Sequence, residues 1–179
     1  EIDELNRRYE GRFRILKGIE SDILANGSLD YPDEILASFD FVIASIHSRF
    51  SMERADMTER IIKAIENPYT TILGHPTGRL LLSRDGYSID MEAVLDHAAK
   101  HGVSIEINSN PHRLDLDWRW CRKAKEKGIS LVISPDAHDI DGLYDVYYGV
   151  GIARKGWLTR EDIINCLNWD KVLAFLSRK

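Results

Sequence analysis

The sequence predicts an α/β fold built from repeated strand-then-helix units. Five short apolar runs each lead to a hydrophilic, ligand-type side chain, at successive intervals of 27, 28, 33 and 28 residues. Amphipathic helical patterns lie between these runs, which is typical of parallel βαβ units. Each unit of a parallel (β/α) barrel takes about 31 residues, and its active groups come from the carboxyl ends of several strands. The spacing therefore favours a (β/α) barrel with a site at its mouth.

The predicted strands are short runs rich in Val, Ile, Leu and Phe. They span residues 13–19, 41–46, 70–74, 103–107 and 131–133, and lead to Glu20, His47, His75, Asn108 and Asp136, respectively. Pro135 marks the end of the last strand, because proline cannot donate a ladder hydrogen bond. His138 follows Asp136 with one residue between them. We expect these six ligand-type side chains to meet at one face of the barrel.

Helical patterns separate the strands. The predicted helices span residues 53–66, 90–102 and 116–127, with a final helix opening at Thr159, a packed tail over 169–176, and a helix before the Glu20 strand. Asp90 is a predicted N-cap and Gly102 a predicted left-handed C-terminal residue. The triplet beginning at Asn26 matches a glycosylation acceptor but is interpreted as a turn.

Composition is that of one soluble globular domain covering residues 1–179. The chain is 44% hydrophobic and 30% charged, with a net charge of −5 and a pI near 5.7. This charge counts against a dedicated nucleic-acid-binding module, although bound divalent cations can attract phosphate locally. We find neither a run of about 18 apolar residues nor a charged-then-apolar leader. Two cysteines, Cys121 and Cys166, indicate no disulfide framework, so we expect a cytoplasmic protein without membrane contact.

Three imidazoles and two carboxylates at one mouth form a mixed nitrogen and oxygen ligand set. Such a set suits Zn, Mn or Fe better than Ca. A carboxylate such as Glu20 can bridge two ions about 3.5–4 Å apart, which activate water and neutralise a phosphoryl oxygen. The alternative is that each histidine is a hydrogen-bonded core residue. Delivery of such residues by successive strand ends favours the metal site, and hence a hydrolase.

Other polar residues near the predicted strand ends have weaker signals. Arg49, Arg79 and Arg113 each lie a few residues past a strand end and could hold phosphate, with surface ion pairing as the alternative. His97 and His101 are four apart on a helix, but no Glu follows His97 as a zincin motif requires. We therefore interpret that pair as part of a solvated helix end.

Five stretches carry a specific resemblance to a known family. They read "GIESDILANGSLDYPDEIL", "VIASIHSRF", "TERIIKAIENPYTTILGHPTGRLLL", "EINSNPHRLDLDWRWCRKAKEKGI" and "PDAHDIDGL...YYGVGIARKGWL". They resemble the PHP (polymerase and histidinol phosphatase) domain, in the version found at the C-terminus of bacterial and archaeal family X DNA polymerases. The similarity spans nearly the whole chain.

The resemblance implies a distorted seven-stranded (β/α) barrel, TIM-like, with a site for Mn or Zn ions. Glu20 resembles the bridging carboxylate, His47 and His75 the ligands of one metal, Asp136 a ligand of a second, and His138 of a third. Glu20 and Asp136 are the expected catalytic carboxylates. The expected substrate-binding residues are Arg49, Arg79, Asn108 and Arg113.

The implied activity is that of a Mn-dependent 3′–5′ exonuclease or 3′-end processing enzyme in DNA repair, acting on DNA through a parent polymerase. Two alternatives remain open: a histidinol-phosphate-type small-molecule phosphatase and a non-catalytic structural domain. Family members begin with a His-x-His strand, and no histidine precedes Glu20. We therefore expect one to two N-terminal βα units to be lacking. Exposed strand edges would then favour self-association.

Overall fold

A computed structural model of the protein describes residues 1–177. Its centre is a parallel sheet of five strands: β1 (Gly18–Asp22), β2 (Phe41–Ser45), β3 (Thr70–Leu73), β4 (Ser104–Asn108) and β5 (Leu131–Ser134). The spatial order equals the sequence order. Sequential neighbours of this kind form the wall of a barrel, whereas a doubly wound sheet reverses its strand order.

Residues 1–177 form seven α-helices besides the sheet. They are α1 (Ile2–Arg8), α2 (Asp33–Leu36), α3 (Arg54–Glu66), α4 (Met91–His101), α5 (Trp118–Glu126), α6 (Val146–Lys155) and α7 (Trp169–Leu176), with 3-10 helices at Asp141–Asp145, Arg160–Asp162 and Ile164–Cys166. Asp90 accepts a hydrogen bond from the Ala93 amide, and Gly102 has a φ of 66°, so both predicted caps of α4 are confirmed. Among residues 1–177, no helix has the length and apolar character needed to cross a membrane.

The core lies between the sheet and its helices. All four residues of β3 and all five of β4 are buried. Met57, Ile61 and Ile65 supply the inner stripe of α3, and Val94 and Leu95 that of α4, all of them inaccessible to solvent. The three residues of α3 recur at four-residue steps, and Val94 and Leu95 lie three and four residues after the buried Met91, so each helix presents one face to the sheet. This packing fixes the positions from which the strand ends project.

The first strand differs from its prediction. β1 begins at Gly18 and not near residue 13, so Glu20 lies within the strand instead of after it. The preceding backbone is satisfied by side chains: the Ile15 amide donates to Asn6 Oδ1 at 2.7 Å, and the Lys17 amide to Asp40 Oδ2 at 2.7 Å. These bonds replace a strand ladder for residues 15–17.

The region after β5 also differs. Thr159 caps only a short 3-10 helix through a capping box with Asp162, because Ile163 turns away to form a parallel bridge with Leu131 of β5. Helix α6 was not predicted, since its glycines and consecutive tyrosines are poor helix formers. A Cβ at Gly149 would lie 2.5 Å from Ile133 Cγ2. Glycine therefore lets α6 pack closely on the sheet.

Candidate metal centre

Three side chains from three neighbouring strands meet at the carboxyl end of the sheet. Glu20 projects from β1, while His47 and His75 follow the ends of β2 and β3. His75 Nε2 lies 3.2 Å from Glu20 Oε1, and His47 Nε2 lies 3.4 Å from the same oxygen. The two Nε2 atoms are 3.2 Å apart. The structure thus brings together three of the six side chains that were expected to meet.

The arrangement fits one divalent cation. Two ligand atoms about 2.1 Å from a common tetrahedral ion lie about 3.4 Å from each other. The three ligand atoms here all lie within 4.8 Å of one another, with individual separations of 3.2–3.4 Å. Two neutral imidazoles whose Nε2 lone pairs face each other repel unless a proton or a metal ion lies between them. Glu20, His47 and His75 are therefore the residues that would hold a metal.

The pKa values of the cluster also indicate that it favours a bound positive charge. Hydrogen bonds from His47 and then His75 hold the pKa of Glu20 far below its usual range. The hydrogen bond to Glu20, reinforced by Asp22, raises the pKa of His47 to about 9. Without metal, a proton thus supplies the positive charge that the cluster attracts.

Asp22 is a functional candidate that the sequence prediction missed. Its Oδ1 lies 2.5 Å from His47 Nδ1. Alternate residues of a strand share a face, so Glu20 and Asp22 both project towards His47. A carboxylate on the second ring nitrogen is the usual device that orients a metal-binding histidine. The signal in the sequence was the Glu-x-Asp spacing within β1.

The predicted ligands at β5 lie in a separate cluster. Asp136 Oδ2 accepts from Asn108 Nδ2 at 3.0 Å and lies 3.3 Å from Arg113 Nε. His138 is exposed, and its Nδ1 lies 2.8 Å from the Asp136 carbonyl oxygen. Among residues 1–177, only Glu20, His47 and His75 form a group of three ligand atoms this close together. Metal ligation by Asp136 and His138 stays a prediction.

The other arginines predicted to bind substrate differ in their surroundings. Arg79 donates to the carbonyl oxygens of Arg113 and Leu114 and pairs with Asp117 at 3.2 Å, so its guanidinium fastens the loop after β4. Arg49 is exposed and has a φ of 55°, a conformation that non-glycine residues rarely adopt. Substrate binding by either arginine stays a prediction.

The histidines of α4 lie outside the centre. His97 Nδ1 is 2.9 Å from the carbonyl oxygen of Ala93 in the same helix, and His101 lies in the last helical turn. Both side chains are partly buried and His101 Nε2 is shielded from solvent, so the pair is less solvated than predicted, although His101 at the helix C-terminus does complement the helix dipole.

Comparison with known proteins identifies relatives of the whole chain. No family model matches it. It is 47% identical over 178 residues to the DNA polymerase/3′-5′ exonuclease PolX of Bacillus subtilis, covering 99% of this chain and 31% of that protein. It is 34% identical over 186 residues to a probable phosphatase of Thermoanaerobacter sp. (strain X514), covering 98% of this chain and 72% of that protein. The chain belongs to the PHP family.

A solved structure relates the PHP chain to a known fold. Histidinol phosphate phosphatase from Lactococcus lactis, crystallised with zinc, L-histidinol and phosphate, superposes with a TM-score of 0.61 at 17% identity. The match covers 88% of this chain and 72% of that one. The predicted PHP fold, a TIM-like arrangement of β/α units, is confirmed. The PHP chain spans about a third of the Bacillus polymerase and about three quarters of the Thermoanaerobacter phosphatase.

Proposed function

We propose that this PHP chain is a metal-dependent phosphoesterase that uses water as its nucleophile. The convergence of Glu20 Oε1, His47 Nε2 and His75 Nε2 within 4.8 Å carries this proposal. A bound Mn or Zn ion would polarise a phosphoryl oxygen and lower the pKa of a bound water. Similarity to a polymerase with a 3′–5′ exonuclease and to a probable phosphatase supports phosphoester chemistry.

Each residue at the centre has a distinct task in this proposal. Glu20 supplies the negative charge, and His47 and His75 supply neutral nitrogen donors. Asp22 holds His47 with Nε2 directed towards Glu20. His47 must lose its proton before it can bind a metal, and the nearby carboxylates stabilise the cation that replaces that proton.

The β5 cluster would bind and orient the phosphoester. Arg113 is partly buried beside Asp136, with 19% of its side chain exposed. A guanidinium in this position can donate to a phosphate oxygen with little loss of side-chain freedom. Asp136, as the second catalytic carboxylate, would accept a proton from water once substrate engages Arg113. Arg49, Arg79 and Asn108 remain further candidates for substrate contacts.

We infer that the substrate is the 3′ end of DNA and that the chain acts on it as part of a family X DNA polymerase. The activity would be that of a 3′–5′ exonuclease in DNA repair, with Mn as the metal. The 47% identity across 99% of the chain supports this choice. A cytoplasmic location follows from the same choice. Self-association through open strand edges stays a prediction.

A small-molecule phosphatase of the histidinol-phosphate type is the second candidate function. It is supported by the fold shared with the Lactococcus phosphatase. The third candidate, a structural domain without catalysis, is disfavoured by the preserved Glu20, His47 and His75 geometry, since a scaffold has no need to hold three ligand atoms together.

The decisive experiment compares two substrates under one set of metal conditions. The chain is incubated with Mn²⁺ or Zn²⁺ and given a 3′-labelled oligonucleotide or L-histidinol phosphate. We expect loss of the 3′ nucleotide, greatest with Mn²⁺, and no loss in a His75→Ala variant that keeps its circular dichroism spectrum.

Faster release of phosphate from histidinol phosphate would replace the exonuclease with the second candidate. No reaction with either substrate, in a chain that binds metal, would favour the structural role. Full activity of His75→Ala would refute the proposed metal centre.

A further inference from the structure

The backbone that presents His75 is a tight turn. Residues 75–78 form a β-turn in which the Gly78 amide donates to the His75 carbonyl oxygen at 2.9 Å. Pro76 occupies the second position and Gly78 the fourth, which are the positions these residues favour. His75 has a φ of 21°, outside the range that L-residues prefer. Such a conformation persists only where surrounding contacts fix it.

Two buried carboxylates supply those contacts. Glu106 Oε2 accepts from the His75 amide at 2.6 Å. Asp115 Oδ2 accepts from the Thr77 amide at 2.9 Å and from the Gly78 amide at 3.0 Å. Proline has no amide hydrogen, so these carboxylates bind every backbone N–H that residues 75–78 possess.

Both carboxylates are buried without a basic side chain as a partner in the described part of the chain. Glu106 is 4% exposed and Asp115 is 0% exposed. Among residues 1–177, neither takes part in a salt bridge with an Arg or Lys within 4.0 Å. Burial raises the pKa of Glu106 to about 7 and that of Asp115 above its usual range. Burying a carboxylate without a cation is costly, and the amide N–H groups of residues 75, 77 and 78 offset part of that cost.

The side chain of His75 shows what the turn achieves. It is 3% exposed, and its Nε2 faces Glu20 Oε1 and His47 Nε2, each at 3.2 Å. Rotation of the turn would move Nε2 away from both atoms. Asp115 is itself held in place, because its backbone exchanges two hydrogen bonds with Asn108 at the end of β4. The turn is thus attached to the most buried part of the sheet.

We propose that Glu106 and Asp115 are positioning residues that fix the 75–78 turn, so that His75 Nε2 is preset to bind the metal ion. The inference rests on the proposed metal centre. It adds two residues that hold the backbone of one of the metal ligands. Neither touches the ion, substrate or reacting water. Their effect on metal affinity passes through the backbone of His75.

The test measures Mn²⁺ and Zn²⁺ affinity by isothermal titration calorimetry, and the unfolding midpoint in urea without metal. The variants are Glu106→Ala and Glu106→Gln, with Ile107→Ala as a control. Ile107 is fully buried on the opposite face of β4, so its loss destabilises the protein without touching the turn. Supporting carboxylates of this kind change metal affinity by about 10- to 100-fold.

We expect Glu106→Ala to weaken metal binding by about 10-fold or more. Glu106→Gln should recover most of this loss, because its amide oxygen can still accept from the His75 amide. Ile107→Ala should lower the unfolding midpoint while it keeps metal affinity within about twofold of the parent chain. Should Glu106→Ala fail to fold, Glu106→Thr preserves strand preference and removes the same contact.

Two failures are distinguishable. Metal affinity in Glu106→Ala equal to that in Ile107→Ala would overturn the positioning role and leave the metal centre intact. A parent chain that binds neither ion, or a His75→Ala variant that binds as tightly as the parent, would overturn the metal centre and the positioning role together.

Discussion

The two halves of the sheet end in polar clusters of opposite character. At β1, β2 and β3, Glu20, His47 and His75 direct ligand atoms at one another, so that the Nε2 atoms of the two histidines face Glu20 Oε1 and each other. At β4 and β5, Asp136 is already paired with Arg113 and Asn108. The first cluster therefore attracts positive charge, from a proton on His47 or from a metal ion, whereas the second already contains a guanidinium.

This difference shows that position at a strand end does not by itself make a ligand. Glu20 and Asp136 are both carboxylates near strand ends of one parallel sheet. One faces two titratable imidazoles, and the other faces a permanent guanidinium, so only the first requires an added charge. Metal affinity should accordingly depend on the first cluster alone, unless substrate draws Arg113 away from Asp136.

The largest expected difference in metal affinity is between a variant of the first cluster and a variant of the second. His75→Ala deletes a nitrogen donor from the first cluster and should weaken Mn²⁺ and Zn²⁺ binding by about 100-fold or more, because only two protein ligands remain. His138→Ala should leave the tightest site within about threefold of the parent chain. Calorimetric titration of both variants measures this contrast. An equal loss in the two variants would mean that the clusters act as one site.

The second prediction concerns pH. Glu20 and Asp22 raise the pKa of His47 from 6.5 to about 9, so His47 is protonated at neutral pH. A metal ion must displace that proton in order to bind. Metal affinity should therefore rise by about tenfold per pH unit up to about pH 9 and then level off. In the metal-free chain, stability from protonated His47 is present below pH 6.5 and is lost as the pH rises through about 9.

Proton release checks the pH prediction directly. Calorimetry near pH 7.5 in two buffers of different ionisation enthalpy should report about one proton released per ion. His97→Gln, which alters a histidine bonded within α4, should release the same number. Binding without proton release would show that His47 is already neutral.

The third prediction tests the orientation of His47. Asp22→Asn keeps the size of the side chain but removes the negative charge next to Nδ1, so metal affinity should fall by about 10-fold. The pKa of His47 should fall as well, because one of the two carboxylates that raise it is lost. Two-dimensional NMR of the imidazole ring follows that pKa in the metal-free chain. Asp96→Asn is the control, since that exposed carboxylate lies on α4 and pairs with Lys127.

Much of the fold could be predicted because apolar periodicity and capping residues are local signals. The five strands, the caps of α4 and the convergence of Glu20, His47 and His75 all follow from such signals. Parallel strands place their carboxyl ends at one edge, so residues after successive strands must approach one another.

The remaining features depend on contacts between distant parts of the chain. Nothing near Glu106 in sequence shows that its side chain accepts from the amide of residue 75. Helix α6 forms against its own propensities because Gly149 fits closely over Ile133. Asp22 lay within reach of sequence reasoning, but β1 was predicted to end before it. An error in one strand boundary thus concealed a residue of the site.

The smallest expected effect concerns the Arg113–Asp136 pair, and it sharpens the contrast between the clusters. The two side chains are 19% and 22% exposed, so their interaction should contribute about 1 kcal/mol to folding. A double-mutant cycle with Arg113→Met and Asp136→Asn, measured by urea unfolding without metal, gives the coupling free energy. A coupling near 1 kcal/mol means that Arg113 neutralises Asp136 in the resting protein and must exchange this partner for a substrate phosphate. A coupling near zero would mean that the pair adds no net stability, so that Arg113 could bind a substrate phosphate without losing a stabilising partner.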